Sequence, residues 1–199
     1  MSKWIRLLLA IAILLLGLGA ALAQDSSNTL IMARAADTTG LDPHTQTAFA
    51  SLRLLELVYE PLVTLDADLN IVPALAESWT FADDAQTLTM SLRQGVTFHD
   101  GSDFTAADVV ASFNRILNEE TGAAARANYL SISSMDTPDD YTVVFNLSVS
   151  DVPLLAAMAS INAAIAPSEV VESGDFAAAA IGTGPFILKS RGADGKIVL

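Results

Sequence analysis

Two stretches of the chain alternate between an apolar set and a mostly polar set of residues. Leu88, Met90 and Leu92 are interleaved with Thr87, Thr89, Ser91 and Arg93, and Tyr141, Val143, Phe145 and Leu147 with Thr142, Val144 and Asn146. A period of two sends one set to each face of a strand, so both stretches predict half-buried β-strands. Between them the period changes. Val109, Val110, Phe113, Ile116 and Leu117 fall on one face of a helix over 105–118, and Thr105 and Asp108 stand at the spacing of a capping box. Gln94 and Gly95 break the first strand, Val96 and Phe98 form a short apolar pair, and the polar run from His99 to Asp103 reads as a turn in which Gly101 takes positive φ.

Weaker patterns fill in the rest. Leu30, Ile31, Met32 and Ala33 are apolar without alternation, which predicts a strand buried on both faces. Leu52, Leu55, Val58 and Tyr59 share a face of a helix over 51–60 that Pro61 stops. The run DADLN over 66–70 is a turn between strands at 62–65 and 71–72, and Asp83 to Gln86 make a hairpin turn after Trp79 and Phe81. Asp136 to Asp140 read as a further turn. Ser150 is placed to cap a helix through Met158 with Asp151 in its first turn, and Pro167 opens another helix ahead of Glu169. The small apolar run over 159–166 reads as a crossing segment. Strands are also expected at 187–189 and from Lys196 to Leu199. The sum is a mixed α/β chain.

The first 23 residues carry a different pattern. Lys3 and Arg6 precede an apolar run from Leu7 to Leu16, and Ala21, Leu22 and Ala23 end it, the layout of an export signal cleaved after Ala23. The run is short for a membrane span, which needs roughly 20 apolar residues. Cleavage would leave 199 minus 23, or 176, residues with eight basic and 23 acidic side chains, taking the net charge from −13 to −15. That balance argues against nucleic-acid binding, which depends on clustered Lys and Arg. There is no cysteine, so disulfides, thiolate nucleophiles and a lipid-anchor cysteine after Ala23 are all excluded.

Three arrangements suggest chemistry and fail on inspection. Asp66, Asp68, Asn70 and Glu77 fall at calcium-loop positions, but Ile71 stands where such a loop needs glycine. Gly182, Thr183, Gly184, Pro185 and Phe186 suggest a phosphate cradle, but the lysine and helix of a P-loop are missing. His44 and His99 are far apart, in turn-like settings, and in no triad pattern, so neither a histidine metal site nor a serine hydrolase is expected. No cofactor, no metal and no catalytic residues are therefore expected.

The run LRQGVTFHDGSDFTAADVVASFNRI, with LDPH at 41–44, YEPLV at 59–63, PALAESW at 73–79 and GTGPF at 182–186, resembles the extracytoplasmic solute-binding proteins of the peptide/nickel class, family 5, which serve ABC importers. The resemblance implies a periplasmic-binding-protein type II-like fold of which this is an N-terminal portion. It implies a first part of a main lobe over 24–60, an inserted α/β subdomain over 61–157, a return to the main lobe over 158–199, and a second lobe absent. It also implies a periplasmic location, a peptide ligand and ABC importer membrane subunits as partners. Nickel chelates, haem and oligosaccharides are alternative ligands of the same class, and a stand-alone interaction module is the alternative role. By position, Thr47, Ala48, Phe49 and Ala50 would enter the ligand cleft, with Phe49 equally able to pack in the core, and 159–166 would be the strand that returns the chain to the main lobe beside the cleft, with Ser160, Ile161 and Asn162 forming its wall. Nickel-type members place cationic and aromatic groups near Arg126 and Tyr129, but the match there is too weak to carry that role over.

Overall fold

The computed structural model describes residues 29–176, 180–192 and 194–199, so the expected signal over 1–23 lies outside the described residues. The chain divides into two units, Met1–Ala33 and Arg34–Leu199. In the first, residues 29–33 form no strand, and Leu30, Ile31 and Met32 are exposed. The expected doubly buried strand is therefore not found. An apolar run without alternation commits to neither face, and a strand needs a partner for its backbone. Among the described residues no helix is long and apolar enough to cross a membrane.

The second unit is built around an antiparallel sheet of four strands in the order β3-β4-β6-β5: β3 Ala76–Phe81, β4 Thr87–Leu92, β5 Ile132–Asp139 and β6 Thr142–Leu147. Both alternating stretches are strands as expected. Leu88 pairs with Phe145 and Met90 with Val143, so the apolar sets of β4 and β6 share one face, fully buried. Helix α2, Ala106–Leu117, lies across that face. Its Phe113 meets Phe145 and Tyr129 edge-to-face, with ring centroids 5.2 and 5.5 Å away. Two short strands, β1 Val63–Leu65 and β2 Ile71–Pro73, flank the DADLN turn as a hairpin. In that turn the Asp66 carboxylate accepts from the amides of Asp68 and Asn70 and from the Asn70 side chain.

The capping residue of α2 does more than its sequence spacing announces. Asp108 is buried, and one carboxylate oxygen accepts from the Thr105 amide at 2.8 Å. The other accepts from the Ser168 amide, also at 2.8 Å, at the start of helix α4, Ser168–Ser173. One side chain thus caps two helices. Four residues on, buried Ser112 accepts from the Ala166 amide and donates to the Ala166 carbonyl. Asp108→Ala is expected to lower stability to urea by about 2 kcal/mol, because both caps go and buried amides are left unpaired. A loss no greater than that of a surface substitution such as Glu119→Ala would contradict this.

Other expectations shift in detail. The helix expected over 51–60 is α1, Phe49–Leu55, followed by tight turns through Tyr59, with Leu55, Val58 and Tyr59 buried as its pattern requires. Asp136 and Pro138 lie in β5 rather than in a turn. This edge strand has irregular register on both sides of Ser134–Asp136, and only Ile132 is fully buried. Helix α3 is shorter than expected, Leu154–Ala157, and Asp151 rather than Ser150 accepts from its first amide. The crossing at 159–166 is not a strand: Ile161–Ala163 make a 3-10 turn, and the buried 164–166 that follow pair with no strand. No strand forms at 187–189. Instead β7 Ser190–Arg191 pairs with β8 Ile197–Val198, where a strand was expected. A second apolar cluster gathers Leu41, Leu54, Leu55, Val58, Tyr59, Ala164, Ala166 and Phe176.

Candidate ligand-binding face

Behind the face is a polar network that the sequence scatters over 120 residues. Arg115, from the last turn of α2, donates both terminal nitrogens to the Asp42 carboxylate, at 3.0 and 2.6 Å. The same guanidinium lies 2.8 Å from Nδ1 of His44 and stacks on Phe176 at 4.3 Å. Arginine only donates, so Nδ1 must accept and the proton of His44 sits on Nε2, donated to the Ala164 carbonyl at 2.9 Å. His44 is fully buried. Burial, helped by the Arg115 charge and opposed by the Ala164 carbonyl, pushes its pKa down to about 4. Burial raises the Asp42 carboxyl, but the Arg115 hydrogen bonds and charge outweigh it and hold it below its usual value.

The segment 47–50 leaves this network toward solvent. Thr47 is exposed, Ala48 and Ala50 are half-buried, and Phe49 is 70% exposed, so it does not pack in the core. The Arg53 guanidinium lies 4.8 Å above the Phe49 ring. The segment is anchored from both ends. On one side Asn162 Nδ2 donates to the carbonyls of Pro43 and Gln46, at 2.6 and 3.0 Å. On the other, Ser51 Oγ accepts from the Thr39 amide at 2.9 Å. Ser160 accepts from the Asn162 amide within its own turn, and Ile161 lines a shallow pocket of about 350 Å³ shared with Glu56, Tyr59, Glu60 and Thr64. Thr47 to Ala50 and Ser160 do not line that pocket. Glu56 and Glu60 were not singled out from the sequence, where two acids four apart on a helix look like a solvated face.

The GTGPF turn is filled by the chain itself. A Cβ on Gly182 would stand 2.2 Å from the Val58 carbonyl oxygen, and one on Gly184 would stand 2.6 Å from the Val58 carbonyl carbon. The Gly184 and Phe186 amides donate to the Val58 and Leu57 carbonyls. From the far side His99 closes the turn: its amide donates to the Gly182 carbonyl at 2.9 Å and its Nε2 to the Gly184 carbonyl at 2.8 Å. No anion could enter this cradle. Asp100 accepts from the Ser102 amide and hydroxyl, a turn role as expected. Arg126 donates to the Leu117 carbonyl at the end of α2, and Tyr129 is buried with its hydroxyl donating to the Ala157 carbonyl, so both are structural. Among the described residues no group of His, Cys, Asp or Glu could hold a metal ion.

Residues 70–199 match the family model of bacterial extracellular solute-binding proteins, family 5. The chain belongs to this family. It is 32% identical over 169 residues to a glutathione-binding protein of Salmonella typhimurium, covering 83% of this chain and 33% of that one. Its fold is similar to that of the binding protein AgaA from A. tumefaciens R10 in complex with agropinic acid, with a TM-score of 0.74, 34% identity, and coverage of 78% of this chain and 32% of that one. It is also similar to the periplasmic binding protein DppA of Helicobacter pylori in complex with the peptide STSA, with a TM-score of 0.71, 29% identity, and coverage of 81% and 36%. The periplasmic-binding-protein type II-like architecture is thus the one this chain adopts. The chain spans about a third of the length of the curated relatives it matches.

Proposed function

We propose that this chain contributes the first lobe of a receptor that captures di- or oligopeptides in the extracytoplasmic space and delivers them to the membrane subunits of an ABC importer. The reading rests on residues 47–50, a stretch of chain displayed toward solvent between two fixed anchors. Thr47 and the extended Ala48 precede α1 and offer backbone amides that can pair with an extended peptide whatever its side chains, while Phe49, in the first turn of α1, offers an aromatic surface for one of those side chains. Ser160 and Ile161 supply the adjoining wall. Glutathione and a tetrapeptide are named as ligands of two similar proteins, which supports the peptide class, while the agropinic acid complex is a reminder that one scaffold hosts several ligands. Segments 24–60 and 158–199 are taken as the main lobe and 61–157 as the inserted subdomain. Closure over the ligand is assigned to the part of the relatives' length that this chain does not span.

Binding rather than turnover fits the chemistry available. The chain has two histidines, and the ring nitrogens of both are occupied: those of His44 by Arg115 and Ala164, those of His99 by Gly182 and Gly184. Neither is poised to serve as a base for a serine nucleophile. Calorimetric titration with the tetrapeptide Ser-Thr-Ser-Ala and with glutathione tests the reading. Thr47→Pro, which removes one backbone donor from the displayed segment, is expected to weaken peptide binding about tenfold while leaving the unfolding midpoint in place. Failure of peptides of two to nine residues to bind the unaltered protein, or their hydrolysis by it, would overturn the proposal.

A further inference from the structure

The six residues from Ile161 to Ala166 fasten the chain on both sides of α1. Asn162 holds the carbonyls of Pro43 and Gln46 before the helix, and the Ile165 amide donates to the Glu60 carbonyl after it. Between these points the Ala164 carbonyl receives the His44 ring, and just after them Ala166 is bound on both its amide and its carbonyl by Ser112. This strap is therefore joined to the buried network at its centre and to the displayed segment at its start.

We infer that Asn162 is a positioning residue, which sets the backbone of 47–50 from behind rather than meeting the ligand through its amide nitrogen. The inference rests on the reading of 47–50 as a ligand contact. Both acceptors facing the side-chain nitrogen are backbone carbonyls, so both of its hydrogens are committed to the turn. The alternative supports for that turn are slight. The Gln46 amide reaches the Asp42 carbonyl only at 3.3 Å, and the Gln46 side chain accepts from the exposed Thr39 hydroxyl. Without Asn162, the carbonyl of Gln46, the residue that enters the displayed segment, has no fixed direction.

The deciding measurement is residue-resolved amide hydrogen exchange of the whole protein. Gln46, Ser51 and Leu52 report on the displayed segment, since their amides close on the Asp42 and Ala48 carbonyls, and Met90 and Val143 report on the sheet. Asn162→Asp places a carboxylate against two carbonyl oxygens and is expected to speed exchange at the first group about tenfold and leave the second group unchanged. Asn162→Ala, which adds no charge, gives the same local pattern if the aspartate variant does not fold. Unchanged exchange at Gln46 and Ser51, or an equal acceleration at all five sites, overturns the positioning role. Calorimetry with Ser-Thr-Ser-Ala separates the two readings. Local acceleration together with binding weakened about tenfold supports both, whereas local acceleration with unaltered binding removes 47–50 from the ligand contact and overturns that assignment, leaving the tie itself in place.

Discussion

Arg115→Met is expected to unfold about 3 kcal/mol more easily than the unaltered protein at pH 7, measured by urea denaturation, and to change the shape of the pH profile as well. Methionine keeps the bulk beneath Phe176 but strips Asp42 of both guanidinium donors, leaving it only the His44 amide, and strips His44 of the group facing Nδ1. A charge left without its partner in a largely enclosed site is one of the few single changes that reach this size. The pH signature follows from His44. Its pKa in the folded protein lies at about 4 against 6.5 when unfolded, so between those values the unfolded chain binds the extra proton and the folded one does not. Stability from this group is therefore complete above about pH 6.5 and falls as pH drops toward 4, by about 3 kcal/mol in total. Removing the Arg115 charge lets the His44 pKa rise and shrinks that fall. A variant whose acid loss over pH 6.5 to 4 matched that of the unaltered protein would show that Arg115 does not act on His44.

Gly182→Ala is expected to destabilise by about 3 kcal/mol or more, through overpacking that has no soft outlet. The new methyl carbon would stand 2.2 Å from the Val58 carbonyl oxygen and 2.9 Å from the Tyr59 Cα, and both atoms belong to backbone that cannot swing aside. Retreat of the turn would stretch the Gly184 and Phe186 bonds to residues 57–58 and the two bonds from His99 together. Gly95→Ala is the matched control. Gly95 has φ of +71° but nothing within 4 Å of its missing Cβ, so only backbone strain of about 1 kcal/mol is expected there. Equal losses for the two substitutions would sink the close-approach account of GTGPF.

The elements that could be read from the sequence are those whose residues face one another locally. Leu88, Met90 and Leu92, then Val143, Phe145 and Leu147, announce β4 and β6 because a strand's two faces are written in neighbouring letters, and Thr105 with Asp108 announces the start of α2 for the same reason. Strand β5 was not legible, since Ser133, Ser134 and Asp136 stand in water at a sheet edge and carry little strand preference. The strand expected over 159–166 comes from the family resemblance, yet the shape of the strap there is tied to the carbonyls of Pro43 and Gln46, 119 and 116 positions earlier. Residues 47–50 came from a family resemblance alone. The exposure of Phe49 and the anchoring by Asn162 and Ser51 had no signature in periodicity, and the network of Asp42, His44 and Arg115 is written 71 to 73 residues apart.

The turn at 182–186 has a consequence for the growing chain. His99 finds its partner 85 residues downstream, His44 finds Ala164 at a distance of 120, and the carbonyls of Leu57 and Val58 wait for Gly184 and Phe186. During synthesis, the chain through residue 186 must leave the ribosome before these groups can be satisfied, so the nascent chain passes through a long interval in which its sheet and helix can form but this turn cannot latch. A polypeptide made in this order stays loose until the turn at 182–186 has emerged.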